Sequence, residues 1–254
     1  LIFEVINIGT SVLCSQYLGA RMHKNMVQVV GVSLILNLVF GLFVSAILHY
    51  GATSLLSMMG LRPELMEYGV SYMKIVGVFA FFQAISLTIS ASLRSANKAV
   101  YPMMVTVVVN ILNIIGNYSL IFGKFGMPAL GVEGAAISTA FARGVSMVIL
   151  FVILFRKHIP RFPLSYFCPF PFVELKNLLK IGVPSAGENM SYSFSQVVLT
   201  YFINMLGNEA LATRTYVVNI VMFVYLFAIA MAQGGAICIG HLVGERKIHA
   251  AYLL

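Results

Sequence analysis

The chain has 254 residues, of which 60% are hydrophobic and only 9% charged, against about 25% charged in an ordinary soluble domain. So few charges cannot clothe a water-soluble surface, so most of the chain must face lipid or buried protein. Sixteen Lys and Arg against eight acids, all Glu, leave a net charge of +8, while Cys14, Cys168 and Cys238 are too few and too scattered for a disulfide framework or a zinc site.

A helix crosses the bilayer core with about 20 mainly apolar residues. In chain order, such runs fall at 3–20, 27–49, 67–93, 101–122, 132–155, 181–206 and 215–243. They lack the alternating pattern of a transmembrane barrel, so an all-α polytopic membrane protein is expected. Short polar joints bearing Pro or Gly separate the runs. The longest joint, 156–180, contains Pro160, Pro163, Pro169 and Pro171 and predicts a linker between two helical bundles, 1–155 and 181–254.

Basic residues set the expected direction. If alternate joints share a side, one side holds Arg21, Lys24, Arg94, Lys98, Arg156, Lys157, Arg161, Lys176, Lys180, Arg246 and Lys247. The other holds Arg62, Lys124 and Arg214, with Glu64, Glu67, Glu133 and Glu209. The first set is therefore expected in the cytoplasm, in a plasma membrane, and the positive charge reads as topology and lipid attraction rather than nucleic-acid binding. The chain opens with Leu1 partway into a run and stops soon after a joint, so a longer protein is expected.

One internal match stands out. Residues 12–21 (VLCSQYLGAR) align with 237–246 (ICIGHLVGER) at an offset of 225, pairing Gly19 with Gly244 and Arg21 with Arg246. These are the first and seventh runs, which point the same way through a membrane, as a parallel repeat of six-helix halves requires.

Polar groups at membrane depth are costly and face a bundle interior or a watery cavity. In the sixth run, Glu188 is followed by Ser191, Tyr192 and Ser195 at i+3, i+4 and i+7, one helical face. A carboxylate beside hydroxyls can hold a proton or help ligate Na⁺; the alternative is a neutral Glu satisfied by a neighbouring helix. Pro184 precedes it by one turn and favours a bend. In the fourth run Thr106, Asn110, Asn113 and Asn117 form a stripe that either lines a polar cavity or bonds to another helix. Arg143, with Thr139 and Ser146 nearby, either pairs with a Glu or repels cationic cargo. Lys74 and Glu4 lie nearer run ends, where they can snorkel. No P-loop, H-E-x-x-H or G-x-S-x-G is present and there is no Asp, so no enzyme chemistry is predicted.

The stretches LRSANKAVYPM (93–103), NILNIIGNYSLIFGKFGMPALGVEGAAIST (110–139) and KIGVPSAGENMSYSFSQ (180–196) are similar to the multidrug and toxic compound extrusion (MATE) family. SQYLGAR (15–21) and GHLVGER (240–246) resemble the ends of that family's second and eighth helices. The resemblance implies a twelve-helix exporter of two six-helix lobes around a central cavity, of which this chain would hold helices two to eight. It also implies drug efflux coupled to inward Na⁺ or H⁺, a small drug-like, cationic or amphipathic cargo, no cofactor and a monomer. Glu188 would be the coupling acid or a possible Na⁺ ligand, although Tyr192 occupies the place two turns after Pro184 where the family carries its acid. A lipid-linked oligosaccharide flippase of the same superfamily is the alternative, and a membrane-embedded enzyme or receptor is the alternative from another class.

Overall fold

The computed structural model describes residues 2–58, 62–159, 163–167, 170–205 and 208–253. Pro160, Arg161, Cys168 and Pro169, named above, lie outside these, as does the side chain of Glu209. Among the described residues the regular elements are all helical: α1 (Ile2–Gly19), α2 (His23–Tyr50), α3 (Ala52–Met58), α4 (Pro63–Val78), α5 (Ala80–Ser95), α6 (Val100–Phe122), α7 (Gly131–Ile153), α8 (Phe172–Asn204), α9 (Asn208–Gly244) and α10 (Ile248–Leu253). A π-helical turn, Leu154–His158, extends α7.

Every apolar run is helical, and the run at 67–93 is two helices, α4 and α5, bent by 45° at Phe79. Among the described residues, four helices are long and apolar enough to span a membrane singly, and the α4–α5 pair makes a fifth as one span. The sequence predicts seven. The two that fall short, α1 and α8, carry polar stripes; that of α1 faces protein, whereas Glu188, Ser191, Tyr192 and Ser195 of α8 are exposed. In α1 the stripe is Thr10, Ser11 and Ser15, and α1 packs on α2, α5, α8 and α9.

The core lies around α1, where Ile6, Leu13, Cys14, Val29, Ile89 and Leu178 are all buried. Within lipid, close packing and interhelical hydrogen bonds hold helices together, since lipid tails are as apolar as leucine. The Thr10 hydroxyl accordingly meets Ser33 Oγ at 2.6 Å, joining α1 to α2. The Asn37 amide donates to Thr88 Oγ1, joining α2 to α5.

Helix α8 begins within the predicted joint 156–180. Past Pro171, which caps the helix, no proline interrupts until Pro184, so α8 starts at Phe172 and runs on through Pro184 to Asn204. Its first turn carries Glu174, which is buried. Glu174 Oε2 accepts from Tyr17 Oη at 2.7 Å and Oε1 from Asn25 Nδ2 at 2.8 Å. This carboxyl pins the start of α8 to α1 and α2.

The backbone repeats where the sequence does. α1 ends with Ala20 N–H on Gln16 O, Arg21 N–H on Leu18 O and Met22 N–H on Tyr17 O. At an offset of 225, α9 ends with Glu245 on His241, Arg246 on Val243 and Lys247 on Leu242. Arg21 (φ 58°) and Arg246 (φ 60°) both adopt the left-handed conformation that closes such a helix end. The following helices start at the equivalent residues His23 and Ile248.

Candidate functional site

The asparagine stripe of α6 divides between two roles. Asn113 Nδ2 donates to Thr139 Oγ1 at 3.4 Å, Asn117 Nδ2 donates to Asn113 Oδ1 at 3.0 Å, and Ser138 Oγ donates to the Asn113 carbonyl at 3.3 Å. A β-carbon on Gly116 would sit 2.3 Å from Ser138 Oγ, so α6 and α7 meet there without room for a side chain. Asn113 and Asn117 thus belong to a helix seam. Asn110 and Thr106 lie on the other part of the stripe and face a cavity of about 400 Å³ between α5, α6 and α7.

That cavity also takes Arg143 and Ser146 from α7. From α5 it takes Gln83, Ser86, Ser90 and Arg94. Arg94 was expected in a cytoplasmic joint; instead the last turn of α5 carries it back over the cavity, half-buried. Among the described residues no acid lines the cavity beside Arg143. A sequence signal for this was present: Arg94 follows Gln83, Ser86 and Ser90 by 11, 8 and 4 residues, one helical face.

Glu188, Ser191, Tyr192 and Ser195 are all exposed on α8, and the structure does not bring them to the α5–α7 cavity. The one-face spacing holds along the helix, with Tyr192 57% exposed. Farther along, Arg214 of α9 donates to Gln196 Oε1 at 2.9 Å and to Thr200 Oγ1, tying α8 to α9.

The repeat-related segments of α1 and α9 pack on each other. A β-carbon on Gly19 would lie 2.2 Å from the His241 carbonyl oxygen, and one on Gly244 would lie 2.1 Å from the Gln16 carbonyl oxygen. With an offset of 225 these are the same contact read in both directions. The third close approach, Gly240 on Ser15 (2.0 Å to Oγ), pairs equivalent residues and so sits on the local two-fold axis. His241 Nε2 also reaches the Ser95 carbonyl at 2.7 Å, bringing the end of α5 into the same cluster. α9 is largely exposed over 215–234 and is covered mainly toward its carboxyl end. α1 thus meets α9 at its carboxyl end and α8 farther along, where a β-carbon on Gly182 would lie 2.3 Å from the Val5 carbonyl oxygen.

The MatE family model matches residues 1–119 and 184–253. The chain belongs to the MatE family. It is 42% identical over 252 residues to the uncharacterized transporter YisQ of Bacillus subtilis, which covers 99% of this chain and 55% of that protein. It is 29% identical over 229 residues to the probable multidrug resistance protein NorM of Thermotoga maritima, covering 89% and 49%. The chain thus spans about half the length of these relatives. Among solved structures, the outward-facing conformation of a multidrug resistance MATE family transporter matches with a TM-score of 0.86 at 26% identity, covering 99% of this chain and 56% of that one. The inward-facing conformation matches with 0.73 at 27%, covering 99% and 57%. A MOP superfamily transporter from Pyrococcus furiosus, whose reverse polarity of binding pocket suggests a different function, matches with 0.87 at 26%, covering 99% and 56%. The MatE chain is thus a multi-pass, all-α membrane protein.

Proposed function

We propose that this chain is part of a secondary active efflux antiporter that exports amphipathic compounds against inward Na⁺ or H⁺ by alternating access. The observation that carries the proposal is the reciprocal α1–α9 contact. Two repeat-related helices meet backbone to backbone at one end, so the path between bundles is sealed there and free to open at the other. With the basic joints cytoplasmic, the sealed end is the cytoplasmic one. The better match to the outward-facing form supports this assignment.

Glu188 supplies the coupling chemistry in this scheme. Its carboxylate and the hydroxyls of Ser191, Tyr192 and Ser195 offer hard oxygen ligands to Na⁺, or one site for a proton. An ion drives the cycle only if it binds the two states unequally. Asn110 and Arg143 lie on the amino-terminal side of the path. Two guanidiniums without a carboxylate favour amphipathic over purely cationic cargo on that side, and the Pyrococcus furiosus transporter offers a precedent for altered pocket polarity. The same pair supports the second reading, a flippase for a phosphate-linked lipid, more strongly than the sequence alone does.

Glu188→Gln in the complete transporter tests the scheme. The amide keeps the size of a protonated Glu but releases no proton and supplies no charge. Gradient-driven efflux per folded molecule in proteoliposomes should be lost while thermal stability is kept. Wild-type turnover would remove Glu188 from the mechanism.

A further inference from the structure

The cavity between α5, α6 and α7 holds two guanidinium groups and no counter-charge. Arg94 and Arg143 both line it, no glutamate among the described residues does, and the chain contains no Asp. Three glutamates are engaged elsewhere: Glu174 with Tyr17 and Asn25, Glu133 with Ser71, Glu245 with Lys247. Arg143 lies mid-helix and Arg94 in the last turn of α5; like charges lining one partly buried cavity are unfavourable, and such groups ordinarily pair or mark a ligand path.

A second feature points the same way. Ser86 is only 6% exposed, its Oγ has no hydrogen-bond partner, and it lines this cavity. Buried polar atoms are almost always paired, so an orphan hydroxyl at a cavity wall marks a place for a ligand atom. The donors gathered here suit acceptor-only oxygens. Guanidinium forks match phosphate geometry, and the Gln83 and Asn110 amides and the Ser90 hydroxyl add neutral donors. A cation would find no carboxylate, and a neutral molecule would leave both charges unbalanced. The volume of about 400 Å³ takes a phosphate group with an attached moiety.

We infer that this cavity binds a phosphate-type oxyanion, either free or as the headgroup of an anionic lipid. The inference is independent of ion coupling at Glu188 and holds for either cargo. The test uses the complete transporter in phosphatidylcholine nanodiscs, with unfolding midpoints followed as inorganic phosphate replaces chloride at constant ionic strength. A parallel arm adds phosphatidylglycerol to the nanodisc and measures retained lipid by native mass spectrometry. A midpoint raised by phosphate identifies a free oxyanion; retention of phosphatidylglycerol alone identifies a headgroup. Arg143→Gln should weaken whichever response is seen by about ten- to a hundred-fold, the value of charge-assisted hydrogen bonds lost. Because Arg94 variants risk misfolding, Gln83→Glu is the second probe. It places a carboxylate inside the cavity and should abolish the response while leaving the anion-free midpoint at or above wild type. Absence of both responses in the wild type, or equal responses in wild type and these two variants, would overturn the inference.

Discussion

In the proposed alternating-access cycle, the contact between α1 and α9 sets a measurable balance between states. Alanine at Gly19 places a β-carbon 2.2 Å from the His241 carbonyl oxygen, where ordinary contact begins at 3.4 Å. Backbone cannot rotate away as a side chain can, so α1 and α9 must separate by roughly the difference, an ångström or more. Overpacking of this kind costs about 1–3 kcal/mol. The cost falls only on the state in which the helices touch, so the population ratio should move by about 5- to 150-fold toward the state in which they part. Gly244→Ala meets Gln16 O at 2.1 Å and, by the two-fold relation, should act in the same direction and to a similar extent. Pulsed dipolar spectroscopy between spin labels at His23 and Ile248, in the complete transporter with native cysteines replaced, reads the separation directly. Both sites are exposed and follow the two helix ends. A longer or broader distance distribution in both variants is expected. An unchanged distribution in folded Gly19→Ala and Gly244→Ala would refute the claim that this contact closes the path.

Glu174→Ala should lower stability by about 3 kcal/mol, since it orphans the Tyr17 hydroxyl and Asn25 amide at a buried site, whereas Glu174→Gln, which keeps one acceptor oxygen, should lose about half of that in thermal unfolding of the purified protein. Cysteines introduced at His158 and Lys247 should react with impermeant reagents from the cytoplasmic side and one at Glu64 from outside; the reverse pattern would invert the proposed direction of transport.

Helical architecture was legible because apolar runs of membrane length admit little else, and the repeat was legible because Gly19, Arg21, Gly244 and Arg246 stand at the closing turns of α1 and α9. Those four residues also explain why a short match marked a packing contact: glycine is needed where backbones touch, and the arginines follow where each helix ends. The division of the asparagine stripe was not legible. Asn110 and Asn113 are neighbours on one helix face, and only the position of α7 decides that one meets a cavity and the other Thr139. Arg94 was hidden by its place at a run boundary, where a basic residue ordinarily reports topology. Glu174 was hidden inside a proline-rich joint, although it is the one acid between Glu133 and Glu188. The role of Glu188 rests on the helix-face pattern, because α8 presents that face away from the rest of this chain.

Gradient-driven transport by the complete protein in proteoliposomes tests the central claim most directly. An amphipathic fluorescent substrate is followed while an opposing Na⁺ or proton gradient is imposed and then collapsed with an ionophore. Antiport predicts uphill substrate movement that requires one of the two gradients and stops when it collapses. Movement that only equilibrates the substrate, unchanged by either gradient, would contradict the account.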